Sequence, residues 1–247
     1  GAARAALTQA DADCLTVFNS LSWPRMGLVE LPEGWAGAAD ADGRALPCQK
    51  IAGRAWAEAA VPPCGWTTLR RASAAGKAGA PAARAGDDFL ENDLLRLELN
   101  ARGEITSILE KSTGRELAAG PCNAFRMFKD VPSSFDAWDI DSTYLRCPLP
   151  LEEPAEIEPA ASGPLLAALR VRRRLNDSQV TQEIRLRRGS RRVEFVTAVD
   201  WQESHKLLKV AFPVRYHANE AIHEIQFGHV RRPNHYSRPY DADRYEV

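Results

Sequence analysis

Short runs of apolar residues separated by turn-forming residues make up the segment from 14 to 69. The runs at 15–19 and 27–32 have the length of strands, and Pro32 ends the second one. Residues 42–44 (Asp-Gly-Arg) are typical of a hairpin turn, and a further extended run is expected from Val61 to Leu69. Short strands at a spacing of roughly ten residues predict a small β-sandwich.

An alanine- and glycine-rich stretch follows at 71–87 and contains no large apolar side chain. A segment of this composition has little surface to bury and is typical of a linker. The sequence therefore predicts a small β-sandwich domain over 1–70, a linker over 71–87 and a large β-sandwich domain over 88–247.

Longer strand patterns follow this stretch. Strands at 93–100 and 105–109 predict a hairpin, with Gly103 supplying the permissive backbone of the turn. Apolar and polar residues alternate strictly from Gln182 to Arg187, which predicts apolar side chains on one face and charged ones on the other. Further strands are expected at 165–175, 179–187, 192–199, 206–214 and 222–227. No amphipathic helix longer than about ten residues is evident, so the predicted fold class is all-β.

Composition and charge exclude several classes of function. Apolar residues make up 45% and charged residues 26%, as expected for a globular protein with a core. The formal net charge of −1 argues against a nucleic-acid partner, because phosphate binding needs a basic surplus. The arginine-rich run at 170–174 alternates as the solvent-facing side of a strand does. No apolar stretch approaches the length of about 18 residues that a membrane span needs, so no membrane partner is expected.

The cysteines indicate a reducing compartment. Five are scattered along the chain without a Cys-x-x-Cys pair, namely Cys14, Cys48, Cys64, Cys122 and Cys147. An odd and sparse set is typical of free thiols in a cytoplasmic protein. We therefore predict a cytoplasmic location.

The densest polar segment of the chain runs from 135 to 144 and contains Asp136, Trp138, Asp139 and Asp141. In an extended segment, Asp139 and Asp141 would share one face, with their backbone positions about 7 Å apart. That spacing is within the range of about 5–9 Å that separates the carboxyl groups of glycosidase acid/base pairs. One interpretation is a catalytic pair beside an aromatic sugar platform. The other is a solvated acidic loop with a buried tryptophan, and the spacing alone leaves both open.

All five histidines fall between 205 and 235, in a region rich in arginine, asparagine and tyrosine. The spacings of metal ligands, such as His-x-His, His-Glu-x-x-His and His-x-Asp, are absent from the sequence, so no metal or other cofactor is expected in this chain. The polar residues at 231–236 are better suited to binding a polyhydroxylated ligand or a neighbouring domain. His205 is expected at the start of a strand, with Glu203 paired to Lys206.

Several blocks of the sequence resemble the α-mannosidases of glycoside hydrolase family 38, in the order in which that family has them. Residues 15–31 resemble the opening strands of its first β domain, and 89–117 the start of its large β-sandwich. Asp-Ala-Trp-Asp-Ile at 136–140 is similar to a motif of its cytosolic branch, and 201–213 and 224–247 are similar to two later blocks. Each block alone is weak, but five in the same order identify the family.

The resemblance implies a small Ig-like β-sandwich followed by part of a galactose-mutarotase-like supersandwich. Members of the family hold zinc in an N-terminal catalytic barrel through His-x-Asp with another Asp and His. This sequence has no His-x-Asp, so we expect a fragment, cut out of a retaining, zinc-dependent α-mannosidase, that is inactive alone. The expected partners are the catalytic barrel, whose zinc lies outside this fragment, and a mannose-containing oligosaccharide. The residues expected to face the sugar cleft or the barrel are Asp136, Trp138, Asp139, Arg232, Asn234 and His235.

Two other functions remain open at this point. An autonomous carbohydrate-binding module would bind sugar when isolated, whereas a loop lent to another domain's cleft would not. A sugar epimerase of the mutarotase type would need a His and a Glu converging inside one complete sandwich.

Overall fold

The structure, a computed structural model, describes residues 11–76, 83–136, 138–235 and 237. Within these ranges the regular structure consists of twenty β-strands and one short 3₁₀-helix, so the predicted all-β class is confirmed. The finer Ig-like and supersandwich assignments stay predictions. No helix in the described ranges has the length and apolar character that crossing a membrane requires.

The first six strands are β1 (Cys14–Asn19), β2 (Arg25–Glu30), β3 (Gly37–Ala39), β4 (Cys48–Ile51), β5 (Arg54–Val61) and β6 (Gly65–Ala72). They form two antiparallel three-stranded sheets with the orders β1-β6-β3 and β2-β5-β4. Leu31, Trp35 and Leu69 pack with alanines of β3 and β5 in a core to which both sheets contribute. Small side chains on β3 and β5 leave the room that the Trp35 ring occupies.

The turn predicted at 42–44 is confirmed. The N–H of Gly43 donates to the carbonyl of Asp40 at 3.0 Å, and the N–H of Arg44 donates to the Asp40 carboxylate at 2.9 Å. Asp40 therefore organises the turn through its side chain, as aspartate commonly does before a glycine turn.

The continuous extended run predicted from Val61 to Leu69 is wrong. β5 ends at Val61, the chain turns through 62–64, and β6 begins at Gly65. Two consecutive prolines have no N–H to donate to a sheet, and Cys64 has a φ of +42°. The pair of prolines therefore separates two strands that the apolar pattern had merged.

The remaining strands are β7 (Arg84–Ala85), β8 (Phe89–Glu91), β9 (Leu95–Leu99), β10 (Ile105–Glu110), β11 (Arg115–Glu116), β12 (Ala124–Lys129), β13 (Pro148–Leu149), β14 (Glu156–Ala161), β15 (Leu166–Leu175), β16 (Ser178–Arg187), β17 (Val193–Asp200), β18 (Lys206–Ala211), β19 (Glu220–Ile225) and β20 (Gly228–Pro233). Their sheets have the orders β11-β10-β9-β8-β7, β14-β15-β16-β17, β13-β12-β18 and β19-β20. Residues of the five-stranded and four-stranded sheets share the largest core, which includes Leu90, Leu97, Ile105, Leu169 and Ile184.

The predicted hairpin around Gly103 is confirmed, since β9 and β10 pair in antiparallel fashion. Gly103 has a φ of +72°, and a Cβ at this position would lie 2.4 Å from Cγ1 of Val171. The position thus requires glycine both for its backbone conformation and for its closeness to β15. The alternation predicted on β16 is also confirmed, because Ile184 and Leu186 are fully buried.

One arginine of the run 170–174 departs from the expected solvent-facing side. Arg173 lies on the inner face of β15 and is 8% exposed. Its guanidinium donates to the carbonyls of Asn123 and Gly103 and stacks 4.4 Å from the centroid of the Phe125 ring. Burial lowers the pKa of Arg173 to about 10. Arg173 shares the inner face of β15 with Val171 and Leu175, and carbonyl acceptors on neighbouring segments bind the charge there.

Parts of the expected linker belong to strands, since β6 continues to Ala72 and β7 covers Arg84–Ala85. Residues 77–82 of that segment lie outside the described residues. The domain boundaries drawn from the sequence therefore stay a prediction.

Gln49 of β4 connects the first group of sheets to β15. Its side-chain oxygen accepts hydrogen bonds from the N–H groups of Leu165 and Leu166 at 2.8 and 2.9 Å. Its amide nitrogen donates to the carbonyl of Leu166 at 2.8 Å. Gln49 is buried. A second contact joins the same groups of strands: the guanidinium of Arg188, which follows β16, pairs with the carboxylate of Glu58 on β5. These contacts fix how the two groups of strands pack on each other.

The expected pair of Glu203 with Lys206 is confirmed. The Glu203 carboxylate also accepts hydrogen bonds from the N–H of Asp177 and the hydroxyl of Ser178, each at 2.9 Å. The hydrogen bond from Lys206 lowers the pKa of Glu203 more than burial raises it, and Ser178 and Asp177 lower it further. Glu203 thereby joins the turn between β15 and β16 to the segment that precedes β18.

We expect the stabilising contribution of Glu203 to be lost in acid. Its pKa is lower in the folded chain than the value of about 4.3 in the unfolded chain. Its contribution to stability is therefore present above the unfolded pKa and is lost as the pH falls through the folded pKa. The measurement is the urea midpoint of the chain and of Glu203→Gln between about pH 7 and about pH 3. The gap between the two proteins should narrow in acid, and a gap that is independent of pH would contradict this role.

Candidate loop site

The acidic segment containing Trp138 forms a turn and not a strand. The N–H groups of Trp138 and Asp139 both donate to the carbonyl of Phe135, at 2.7 and 2.9 Å. Phe135 has a φ of +54°, which a strand does not allow. The alternation of faces considered for an extended segment is therefore wrong, and with it the argument that Asp139 and Asp141 form an acid/base pair by strand spacing.

Asp141 has a structural part in this loop. Its carboxylate accepts hydrogen bonds from the N–H and the hydroxyl of Ser133, both at 2.9 Å, and so closes the loop from 133 to 141. The 3₁₀-helix at Ser142–Arg146 begins directly after it. Asp141 is consequently occupied by the fold of the loop itself.

The 3₁₀-helix anchors the loop to the sheet of β12 and β18. Tyr144 is buried and meets the Phe128 ring edge to face, with centroids 5.1 Å apart. The ammonium of Lys209 on β18 donates to the Tyr144 hydroxyl at 2.8 Å. The base of the loop is thus packed against that sheet and hydrogen-bonded to it.

The tip of the loop is open to solvent. Trp138 is 88% exposed, so the interpretation of a buried tryptophan is wrong. Asp136 and Asp139 on either side of it are also exposed. An exposed indole beside two carboxylates offers an apolar face together with hydrogen-bond acceptors.

His205 is a neighbour of this loop that the sequence did not assign to it. Its Nδ1 atom lies 3.6 Å from the carboxylate of Asp136. The pairing of β12 with β18 places Lys129 opposite Lys206, and the N–H of Asp130 donates to the His205 carbonyl at 2.8 Å. This strand pairing brings together two segments that are far apart in the sequence, so no local sequence signal could have linked Asp136 with His205.

The second set of candidates lies at the end of the β19–β20 hairpin. Arg232 pairs with Ala221 across the hairpin and is exposed. Asn234 closes the hairpin, because its N–H and its side-chain amide donate to the carbonyls of Asn219 and Ala218, both at 3.0 Å. The Oδ1 atom of Asn234 is buried and accepts no hydrogen bond from the described residues. Nδ1 of His235 lies 2.8 Å from the hydroxyl of Ser237.

The structure brings together Asp136, Trp138 and Asp139 in one turn, and Arg232, Asn234 and His235 at one hairpin end. The side-chain contacts described for the first set involve His205, and those for the second involve residues 218 and 237. The two sets thus lie on different elements of the fold. Among the described residues, no three His, Cys, Asp or Glu side chains are grouped as a metal site requires. The resemblance places the zinc of the family in the catalytic barrel and not in this chain, and that expectation stays a prediction.

Comparisons with known proteins agree on one family. A model of the glycosyl hydrolases family 38 C-terminal domain matches residues 90–247. Human alpha-mannosidase 2C1 is 32% identical over 237 residues, which is 94% of this chain and 22% of that protein. Alpha-mannosidase G of Dictyostelium discoideum is 34% identical over 170 residues, or 66% of this chain and 16% of that protein.

A likeness in fold extends over most of the chain. The crystal structure of an alpha-mannosidase from Enterococcus faecalis V583 matches 90% of this chain and 34% of that chain, with a TM-score of 0.65 and 14% identity. The chain spans about a fifth of the length of the curated relatives it matches and about a third of this structural neighbour.

Proposed function

Because this chain belongs to glycosyl hydrolase family 38, through the C-terminal domain of that family, we propose that it is the non-catalytic β region of a retaining, zinc-dependent α-mannosidase. In this proposal the chain packs on the catalytic barrel of its parent and contributes loops to the cleft that binds the sugar. The names of its relatives as α-mannosidases support the substrate class, an oligosaccharide that contains mannose.

The observation on which the proposal rests is the exposed turn at Phe135–Asp139. Trp138 is 88% exposed at the tip of a loop whose base is anchored by Tyr144 and Lys209. Placing a large apolar ring in water costs free energy that an occupied interface recovers. Carboxylates beside a flat ring suit a sugar, since its C–H face stacks on the indole while its hydroxyls donate to Asp136 or Asp139.

The end of the β19–β20 hairpin has a secondary role in the proposal, through Arg232, Asn234 and His235. The exposed guanidinium of Arg232 is a donor for a sugar hydroxyl or for a carboxylate of the barrel. Asn234 sets the shape of the hairpin end, since its amide nitrogen is engaged with the carbonyl of Ala218. We therefore propose that these residues brace a neighbouring domain.

Zinc, in this proposal, is held by the barrel and by no residue of this chain. We further propose a cytoplasmic location, which five free cysteines support. Neither nucleic acid nor a membrane has a part in the proposal.

We expect the purified chain to be catalytically silent. It has no His-x-Asp, and no group of three His, Cys, Asp or Glu side chains among its described residues could hold a metal. The measurement is hydrolysis of an aryl α-mannoside by the chain, with and without added zinc, beside the full-length parent as the positive control. No turnover above the buffer rate is expected for the chain. Zinc-dependent turnover that co-purifies with it would contradict the assignment as a non-catalytic region.

A further inference from the structure

A cavity of about 610 Å³ opens in the first part of the chain, far along the sequence from the Trp138 loop. Its walls are the segment 31–36 after β2, the inner part of β4, and the turn that joins β4 to β5. This volume lies within the range of about 300–1,000 Å³ that is typical of sites for small ligands.

The lining combines the edge of a buried hydrophobic core with a polar rim of both charges. Trp35 is a buried part of the wall, while Glu33, Lys50 and Arg54 line the cavity from exposed positions. Arg54 is also paired with Glu30, at 3.0 Å. The remaining charges of the rim, the Glu33 carboxylate and the Lys50 ammonium, are of opposite sign, so the rim has no surplus charge to attract an anion or a cation. The rim instead offers both acceptors and donors of hydrogen bonds, which suits a neutral ligand with many hydroxyl groups.

The walls of the cavity are held in place before any ligand binds. Nη2 of Arg71 donates to the carbonyl of Gly34 at 3.1 Å, and the N–H of Trp35 donates to the carbonyl of Pro32 at 3.2 Å. A preformed site avoids the entropic cost of ordering a loop on binding.

The turn at the mouth of the cavity is built from the smallest residues. Ala52 and Gly53 have φ values of +46° and +82°, as the two central residues of a tight hairpin turn do. Asparagine, which is larger than alanine, is common at the first of these two positions. A Cβ at Gly53 would meet no atom within 4 Å. The mouth is therefore left open, at the expense of a strained backbone at Ala52.

We propose that this cavity is a binding site for a neutral saccharide, separate from the loop at Phe135–Asp139. The sugar lies against the small part of Trp35 that reaches the cavity wall, and its hydroxyls bond to Glu33 and Lys50 at the rim. The choice of mannose as the sugar rests on the proposed function, whereas the cavity and its chemistry do not. Such a site would tether the parent enzyme to a glycan whose terminal residue lies in the catalytic cleft.

The test is saturation-transfer NMR with the 247-residue chain, titrated with methyl α-mannoside and with α-mannobiose. Saturable binding in the millimolar range is expected. The double variant Glu33→Ala/Lys50→Ala should weaken it at least about fivefold, as the loss of two hydrogen bonds implies. Ala36→Trp, which places a large ring in the cavity from an exposed position, should abolish it. Arg44→Ala, on the same part of the chain and outside the cavity, is the matched control and should bind as the unaltered chain does.

The melting temperature of each variant separates lost binding from lost folding, and the rim residues are exposed, so their removal should leave it unchanged. Absence of saturable binding by the unaltered chain would overturn the proposal. Binding that survives both cavity variants and disappears in Trp138→Ala would also overturn it and would favour an autonomous sugar-binding module based on the loop. Neither result bears on the catalytic silence of the chain, so failure here is distinct from failure of the proposed function.

Discussion

Replacing Gln49 with alanine should lower the free energy of unfolding of the chain by about 3 kcal/mol. The substitution removes one hydrogen bond that this side chain donates and two that it accepts, all with the backbone of Leu165 and Leu166, which are buried. Each backbone group left without a partner costs about 1–3 kcal/mol, less where water enters the space. The cavity left by the side chain adds to the loss, because Gly163 packs directly against the Gln49 amide.

Urea unfolding of Gln49→Ala beside Gln179→Ala measures this effect. Gln179 is an exposed glutamine of β16, and its replacement should change the free energy of unfolding by less than about 0.5 kcal/mol. A loss below about 1 kcal/mol for Gln49→Ala would mean that water or other polar groups nearby replace the three bonds. The contact between β4 and β15 would then have little weight in holding the two groups of sheets together.

In the full-length parent, Asp139→Asn should lower kcat/KM at least about tenfold, because a hydrogen bond to a charged group is worth about 1.5–3 kcal/mol. The substitution keeps the size of the side chain and removes its charge. Asp139 is exposed in this chain, so the same change should alter the free energy of unfolding by less than about 1 kcal/mol. A loss of activity without a loss of stability is what a residue lent to a neighbouring cleft produces.

Trp138→Ala should also lower kcat/KM of the full-length parent, since it removes the aromatic face from the loop. Truncating a tryptophan inside a core costs about 3–5 kcal/mol, but the Trp138 ring is 88% exposed and has no core to leave. The stability of the chain should therefore change little, while the parent loses affinity for its substrate.

The sequence was informative wherever a local pattern decides the structure. The alternation on β16, the glycine turn at Gly103 and the turn at 42–44 follow from side-chain period and backbone freedom alone, and each is found in the structure. The all-β class follows from the same kind of signal, repeated along the chain.

Contacts between distant segments could not be predicted in this way. Arg173 is buried because the carbonyls of Asn123 and Gly103 meet its guanidinium, and both belong to other elements. Gln49 similarly finds its partners on β15, and Asp136 finds His205 through the pairing of β12 with β18.

The candidate loop was predictable only in part. Its residues were identified from their chemistry, but its turn depends on a positive φ at Phe135, a residue type that does not favour that conformation. The strand spacing of two carboxylates therefore suggested a geometry that the backbone does not adopt. The cavity beside Trp35 had no sequence signal at all, because its walls come from three separate segments.

The most direct test of the account is kcat/KM of the full-length parent with Asp139→Asn, measured together with the melting temperature of the same variant of the 247-residue chain. Asp42→Asn, the same chemical change at an exposed turn of the first group of sheets, is the matched control. We expect at least a tenfold loss of kcat/KM, or about 1.4 kcal/mol, for Asp139→Asn alone, with both melting temperatures unchanged. Normal kinetics combined with a large loss of stability would make the loop a structural element, and its assignment to the sugar cleft would be wrong.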